Sequence, residues 1–302
     1  MDFDRICDQT SLFRVIVLAI VSSAEALALP TCSHMCGDVQ VPYPFGTTKE
    51  CALNSDFVLN CDTSTTPHTL STGNLNVTMI SLEGQLHVWM DVARKCYYQS
   101  GKLESSLCAT LQLITYTASS KANKFVTVGC DTFGYLNSFQ NGNLYSTGCL
   151  SRCKGNTPLP ENLGNCSGVG CCQVDIPPGM NNISIEAYSF NNQSDVWDFN
   201  NCSYAFVVEQ GWFNFSYDNL RYLPYKMVLM VFDWAIGIET CEIAQQNTIT
   251  YACKGNRTCS NSPNGSGYLC ACKNGFEGNP YLTDGCQDID ECEDDAMNNC
   301  LS

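Results

Sequence analysis

The basic side chains of this sequence are few, and several of them occur in local pairs. The chain of 302 residues has 15 Lys and Arg against 30 Asp and Glu, a formal net charge of −15. An arginine can bind a carboxylate through two parallel hydrogen bonds, whereas a lysine acts as a point charge. Together with a tyrosine whose ring could stack on a ligand, these side chains form our candidate set for binding an anionic ligand: Arg94, Lys95, Tyr97, Lys121, Lys124, Arg152 and Lys154. The alternative interpretation of each pair is ordinary solvated charge.

No residue pattern points to catalysis. The histidines, His34, His68 and His87, lie in no nucleophile or metal-binding pattern. Two carboxylates could serve a glycosidase, but the sequence singles out no pair of them. The chain also lacks a glycine-rich phosphate loop, a VAIK-like lysine and an HRD catalytic loop, which a protein kinase requires. Because the net charge is strongly negative, a nucleic-acid partner is excluded as well. The sequence therefore predicts a binding protein and not an enzyme.

The cysteine content and the N-terminus indicate the compartment. The chain contains 22 cysteines, which is typical of disulfide-bonded proteins in oxidising surroundings. An apolar run at 15–21 is followed by A-x-A patterns at 24–26 and 26–28. We therefore interpret residues 1–26 as a secretory signal peptide, with cleavage near residue 26 or 28. A non-cleaved anchor is the alternative, although the run is shorter than the about 20 residues of a membrane helix. The expected location is secreted and extracellular.

Eight N-x-S/T sequons support the same location. Such sequons are acceptors for N-linked glycans in secreted chains. The predicted glycosylation sites are Asn76, Asn165, Asn182, Asn192, Asn201, Asn214, Asn256 and Asn264.

The elements that must position these side chains are predicted to be mostly β-strands. Residues 27–240 contain short segments rich in β-branched and aromatic residues, separated by Gly, Asn and Ser clusters, and no long helical pattern. The strand candidates are 75–82, 86–92, 111–117, 125–128, 183–188, 204–208 and 227–232. The predicted fold is thus a mostly β, disulfide-rich extracellular protein, with a large cysteine-rich domain at 27–240 followed by a small module.

The small module, residues 241–287, has a distinct cysteine framework. Six cysteines include a C-x-C pair, and a GFEG turn follows it at 275–278. Spacing alone leaves 15 disulfide connectivities open. The count, the C-x-C pair and the turn resemble an EGF-like module. That resemblance implies the pairs Cys241–Cys259, Cys253–Cys270 and Cys272–Cys286.

The last residues, 288–302, resemble the opening of a calcium-binding EGF module. The motif is DIDEC at 288–292. The resemblance implies that Asp288 and Glu291 supply carboxylates and Ile289 a backbone carbonyl to Ca²⁺, which prefers six to eight oxygen ligands. The family's other ligands lie beyond the third cysteine of such a module, so we expect an incomplete site and a truncated module. No cofactor is required, Ca²⁺ is possible here, and a solvated acidic linker is the alternative.

The large domain also carries a series of recognisable motifs. These are CSHMCGDVQVPYPFG at 32–46, NKFVTVGCD at 123–131, GCLSRC at 148–153, CSGVGCCQ at 166–173, CSYAF at 202–206 and DWAI at 233–236. In this order they resemble the galacturonan-binding domain of plant wall-associated receptor kinases, and GNPY at 278–281 fits the same family. Residues 27–240 hold an odd number of cysteines, and Cys108 has no obvious place in that pattern, so it is our candidate for an unpaired or variable thiol.

This resemblance implies binding of pectin or oligogalacturonides and a role in cell-wall sensing. It makes the seven basic and aromatic residues of the candidate set the predicted carbohydrate-binding residues. The family's transmembrane helix and kinase domain are missing from this chain, so membrane attachment is expected only in a longer parent. The net charge of −7 over 27–240 should repel a polyanion at long range, which makes a local cationic surface or bridging Ca²⁺ necessary. Two alternatives stay open: a protein-binding or adhesion module, and a soluble decoy ectodomain without polysaccharide affinity. A truncated gene model is a further expectation.

Overall fold

The computed structural model describes residues 27–112, 115–140, 143–153, 166–263 and 265–289. Several sequence-based predictions fall outside these ranges. They are the signal peptide at 1–26, most of the partial module at 288–302, Lys154, Glu291, Asn165 and Asn264.

The described residues are dominated by short strands, as the composition predicts. The first eleven strands are β1 Met35–Cys36, β2 Val39–Gln40, β3 Asn60–Asp62, β4 Thr69–Thr72, β5 Leu75–Ser81, β6 Gln85–Asp91, β7 Ala93–Tyr97, β8 Leu103–Leu107, β9 Ala109–Leu111, β10 Thr117–Ala118 and β11 Asn123–Val128. The others are β12 Asp131–Gln140, β13 Asn143–Arg152, β14 Ser167–Val169, β15 Cys171–Asp175, β16 Ile183–Ser189, β17 Cys202–Glu209, β18 Met227–Asp233, β19 Arg257–Asn261, β20 Tyr268–Cys272, β21 Phe276–Gly278 and β22 Cys286–Asp288. The helices are one-turn segments: a 3₁₀ turn Ser55–Phe57, α1 Asp218–Arg221 and α2 Cys241–Ala244.

Three antiparallel sheets build the large domain. The first has the strand order β10-β18-β6-β5-β4-β3, and the second has the order β14-β15-β11-β17-β7-β8. The third has the order β13-β12-β16-β9. Strand β17 lies between β11 and β7, and seven of its eight residues are buried because it contacts β12 and β16 of the third sheet as well as β18 and β6 of the first. The outer face of the third sheet is left open to solvent.

A glycine in β12 allows the third sheet to approach the second. A Cβ atom at Gly134 would lie 2.8 Å from Cγ2 of Thr127 and 3.0 Å from Cβ of Ala205. Real side chains do not tolerate such a distance to β11 and β17 without displacement. The small residue at this position therefore sets how closely β12 packs on the second sheet.

The strand predictions were correct for six of the seven segments, within one or two residues at their ends. The prediction of one strand at 111–117 is wrong, because this part of the chain leaves the third sheet after β9 and enters the first sheet at β10. The sequence reading also missed β12 and β13, which are the longest strands in the described part of the chain.

The EGF-like module shows the disulfides that the family resemblance implies. The bonds Cys241–Cys259, Cys253–Cys270 and Cys272–Cys286 are all present. The large domain contains six more bonds: Cys32–Cys51, Cys36–Cys61, Cys96–Cys202, Cys130–Cys153, Cys149–Cys172 and Cys166–Cys171. Cys108 is the free cysteine of the described residues, as predicted, and it is exposed.

The module and the large domain share one apolar core. Trp234 is 1% exposed, and its ring contacts Phe45, Phe57 and Tyr281 at centroid distances of 5.1, 5.8 and 5.4 Å. Asn279 of the module is also buried, and its amide donates to the carbonyls of Leu27 at 3.1 Å and Tyr43 at 2.7 Å. The two parts are therefore joined by both ring packing and buried hydrogen bonds.

One buried histidine makes the stability of the fold depend on pH. His87 is 6% exposed, its Nε2 has no hydrogen-bond partner, and its Nδ1 lies 3.8 Å from a carboxylate oxygen of Glu209. Burial lowers the pKa of His87, and the opposing effect of Glu209 is smaller. The unfolded chain therefore binds more protons at this site once the pH falls below the ordinary histidine pKa of about 6.5.

We expect the melting temperature to fall as the pH is lowered from 7.5 to 5.5, because protonation of His87 favours the unfolded state. A His87→Gln variant should show a flatter dependence over this interval, measured by calorimetry with disulfides intact. His34→Gln is the matched control, since His34 is exposed and should leave the dependence unchanged. An identical slope for wild type and His87→Gln would contradict the assignment.

Candidate ligand-binding surface

The outer face of the third sheet carries a row of aromatic side chains. In β12 the side chains alternate, so Phe133, Tyr135 and Phe139 point outwards while Leu136 and Ser138 are buried. Tyr135 and Phe139 are 45% and 51% exposed. Exposed rings at this density are unusual on a soluble surface and mark it as a candidate interaction site.

Strand register brings further rings beside Phe133. Tyr188 of β16 is its partner in the ladder, and the two rings are nearly parallel with centroids 5.3 Å apart. Phe190, which follows β16, lies on Phe133 at 4.6 Å, and Tyr135 packs edge-on at 5.8 Å. Tyr188, Phe133 and Phe190 therefore form one continuous stack of rings.

A basic side chain lies at each end of this stack. Nζ of Lys95 is 4.7 Å from the ring centre of Tyr188, and Cζ of Arg152 is 4.0 Å from that of Phe190. We call Lys95, Tyr188, Phe133, Phe190 and Arg152 the capped stack. Cation–π attraction holds both cations in place. Neither cation forms an ion pair with a carboxylate among the residues that the structure describes. Their N–H groups can therefore donate hydrogen bonds to an anionic ligand.

Asp131 fixes the segment that positions Phe190. It is only 9% exposed, and its carboxylate accepts hydrogen bonds from the hydroxyl of Ser189 and from the backbone N–H groups of Asn191 at 2.8 Å and Gln193 at 3.2 Å. Asp131 is also the ladder partner of Arg152. The buried carboxylate of Asp131 thus holds the loop after β16 close to the end of β13, where Arg152 lies.

The carboxylate of Glu186 borders the stack but is already satisfied. The hydroxyl of Tyr188 donates to it, and Asn137 and Ser184 each donate at 3.3 Å. The hydrogen bond to Glu186 is the main reason that the pKa of Tyr188 rises to about 12. The phenol therefore stays protonated at all physiological pH values and keeps its hydrogen bond to Glu186.

A shallow groove runs beside the rings. It is lined by Phe133, Tyr135, Gly148 and Leu150 from the third sheet and by Gly168 from β14. Gly148 faces Tyr135 in the ladder, where a Cβ atom would lie 3.1 Å from the tyrosine ring. The groove therefore combines aromatic walls with glycine positions that leave room for a ring-shaped ligand.

Two of the seven predicted carbohydrate-binding residues, Lys95 and Arg152, meet at the capped stack. Arg94 is exposed on the opposite side of β7, because neighbouring side chains of a strand point to opposite faces. Tyr97 is only 5% exposed, so its ring is buried and cannot stack on a sugar in this structure. Lys124 is paired with Asp175, and Lys121 is exposed in the turn before β11. The role of each residue in binding stays a prediction.

The predicted calcium ligands are only partly described. Asp288 ends β22, and the N–H of Ile289 donates to the carbonyl of Gly275 at 2.9 Å. Glu291 lies outside the described residues. Within the described ranges, no group of three or more His, Cys, Asp or Glu side chains is arranged to hold a metal ion. The calcium site therefore stays a prediction.

The described sequons differ in accessibility. Asn76, Asn192, Asn214 and Asn256 are exposed, whereas Asn182 and Asn201 are half-buried. The exposed sites are accessible to a glycosyltransferase in the folded protein, and glycosylation at any of the predicted sites stays a prediction.

Comparisons with known proteins show which family the chain resembles. Residues 32–91 match the family model described as wall-associated receptor kinase galacturonan-binding. Wall-associated receptor kinases 2 and 5 of Arabidopsis thaliana are 39% and 40% identical to this chain, over 94% of its length and 38% of theirs. Over nearly its whole length, the chain is similar to wall-associated receptor kinase ectodomains. Wall-associated receptor kinase-like 10 of the same plant is more distant, at 25% identity over 95% of this chain and 42% of its own length. No solved structure matches it.

The similarity of this chain to the curated kinases is confined to 38% of their length, and the chain carries none of the kinase motifs. No helix in the described ranges is long and apolar enough to cross a membrane.

The aromatic part of the capped stack was missed in the sequence, although the alternation of Phe133 with Tyr135 and of Tyr188 with Phe190 was a detectable signal.

Proposed function

We propose that this ectodomain binds pectin, an acidic polymer of galacturonate, at the capped stack, without catalysing a reaction. The observation that carries the proposal is the convergence of Lys95 and Arg152, which are distant in sequence, on the two ends of one exposed aromatic stack. The galacturonan-binding family to which residues 32–91 match gives the ligand class.

The charges of the matched segment explain why a surface outside it is needed. Residues 32–91 contain one basic residue, Lys49, and six Asp or Glu. A polyanion would be repelled by this balance on its own. Lys95 on β7 and Arg152 on β13 supply the cations that the segment lacks, and the rings between them add apolar area.

Each part of the capped stack has a separate role in this proposal. The guanidinium of Arg152 can grip one carboxylate with two hydrogen bonds, and the ammonium of Lys95 attracts another as a point charge. When both carboxylates belong to the same polymer, the second contact forms at a high effective concentration. The groove beside Tyr135 and Gly148 then receives the sugar rings between them.

Methyl esterification should decide between pectin and a protein partner. Esterification removes the charge of the galacturonate carboxyl, so we expect the ectodomain to be retained on de-esterified pectin and to pass through a highly esterified column. High salt should also release it, because Arg152 is exposed and Lys95 is only half-buried, so salt can screen both cations. Equal retention on both columns would contradict carboxylate recognition and would favour the protein-binding or adhesion alternative.

The place of action proposed for the ectodomain is the cell wall or the outer face of the plasma membrane. The nine described disulfides are typical of oxidising, extracellular surroundings. Cell-wall sensing would belong to a longer receptor kinase, whereas the ectodomain alone could act as a decoy that competes for pectin. Calcium binding is proposed only for a chain in which the second EGF module is complete.

A further inference from the structure

Two cavities lie between the large domain and the EGF-like module, on either side of one short chain segment. The backbone of Ile236 pairs with Tyr268 of the module, and the chain then runs exposed through Gly237 and Ile238. One cavity on the first side is lined by residues that include Asp56, Trp234 and Ser266. A second cavity, lined by Leu53, Glu239 and Ile249 among others, opens on the other side. Both are lined by Gly237 and Ile238, and we call the two cavities together the cleft.

The walls of this cleft combine apolar and acidic side chains. Ile238 and Ile249 both line the cleft, and they are 83% and 86% exposed. Their aliphatic side chains could therefore be buried by a ligand. Asp56 and Glu239 are exposed beside them. No Lys or Arg is present among the described residues that line either cavity. Lys254 lines neither cavity, but its Nζ donates to the backbone carbonyl of Ile249 at 3.1 Å. The side chains that line the cleft are therefore neutral or acidic, in contrast to the capped stack.

We propose that this cleft binds a short peptide that carries lysine or arginine between aliphatic side chains. The carboxylates of Asp56 and Glu239 complement the cationic side chains, and Ile238 and Ile249 cover the aliphatic ones. A galacturonan does not fit, because its carboxylates would meet Asp56 and Glu239. Clefts between domains are common ligand sites because both walls contribute contacts.

A labelled decapeptide of alternating lysine and leucine is a direct probe, with a glutamate–leucine decapeptide as its counterpart. The oxidised ectodomain should bind the first with saturation and not bind the second. Replacing Ile238 and Ile249 together by Asp should weaken binding about tenfold or more, because the aliphatic contacts are lost. These substitutions add negative charge, so non-specific attraction of a cationic peptide would rise and could not explain a loss.

Two control variants separate the cleft from other surfaces. Ile243→Asp makes the same change on α2, at a side chain that is 52% exposed but lines neither cavity, and should bind the probe as wild type does. Lys95→Glu with Arg152→Glu should also leave peptide binding intact, so that failure of the pectin proposal does not affect this one. Absence of saturable binding, or equal affinity of the double Asp variant and wild type, would overturn the proposal.

Discussion

Reversing the charges of Lys95 and Arg152 together, as Lys95→Glu with Arg152→Glu, should abolish retention of the ectodomain on de-esterified pectin. Each reversal replaces an attraction by a repulsion at one end of the capped stack. Both cations are exposed enough to leave the core undisturbed, and neither holds a carboxylate in the described structure. We expect each single reversal to weaken binding about tenfold or more and the double reversal to remove it.

The matched controls are other basic residues of the same predicted set. Arg94→Glu changes the neighbouring residue on the opposite side of β7, and Lys121→Glu changes an exposed lysine in the turn before β11. Both keep the same change in net charge, so they should retain at least half of the binding if location matters. An equal loss of binding in the four single variants, Lys95→Glu, Arg152→Glu, Arg94→Glu and Lys121→Glu, would mean that overall charge, and not the capped stack, controls retention. Unchanged melting temperatures would show that the variants are folded.

The second large effect concerns stability. Trp234→Ala should lower the free energy of unfolding by about 3–5 kcal/mol, as is typical for removing a large buried aromatic side chain. Its ring contacts two phenylalanines of the large domain and Tyr281 of the module, and its Nε1 donates to the carbonyl of Ser81 at 3.1 Å. The loss should therefore loosen the EGF-like module from the large domain.

Urea unfolding with intact disulfides measures this loss, and limited proteolysis between the two parts measures the loosening. Tyr222→Ala is the control, since this ring is 69% exposed and its removal should change stability by no more than about 0.5 kcal/mol. Trp234→Phe provides a milder variant if the alanine variant is not secreted, and it should lie between wild type and Trp234→Ala. A stability equal to wild type in both variants would contradict the shared core.

The EGF-like module was predictable because its disulfide framework is encoded locally. Spacing alone left the pairs of Cys241, Cys253 and Cys272 open, but the resemblance to an EGF-like module implied them, and the structure confirms all three. Strands with continuous apolar residues, such as β17 and β18, were also found. The prediction failed at 111–117, where chain segments of similar composition belong to two different sheets.

The candidate site was less predictable, because sheet pairing decides which side chains meet. Strands β12 and β13 were not among the predicted strands, since glycines and polar residues such as Gly134, Asn137 and Gly148 interrupt their β-branched and aromatic residues. The ladder pairs Phe133 with Tyr188, which lies 55 positions later in the sequence. A local sequence pattern cannot predict such a long-range pairing. In the same way, strand alternation separates Arg94 from Lys95, which the sequence had grouped.

Zero-length carbodiimide cross-linking of a de-esterified oligogalacturonide to the ectodomain tests the central claim most directly. The reagent joins a ligand carboxylate to a lysine amine in contact with it, and peptide mass spectrometry then identifies the lysine. With an isotope-labelled oligogalacturonide, the account predicts a labelled sugar adduct on Lys95 that disappears when an excess of the unlabelled oligogalacturonide competes. An adduct on Lys49, Lys121 or another lysine, with Lys95 unmodified, would contradict binding at the capped stack.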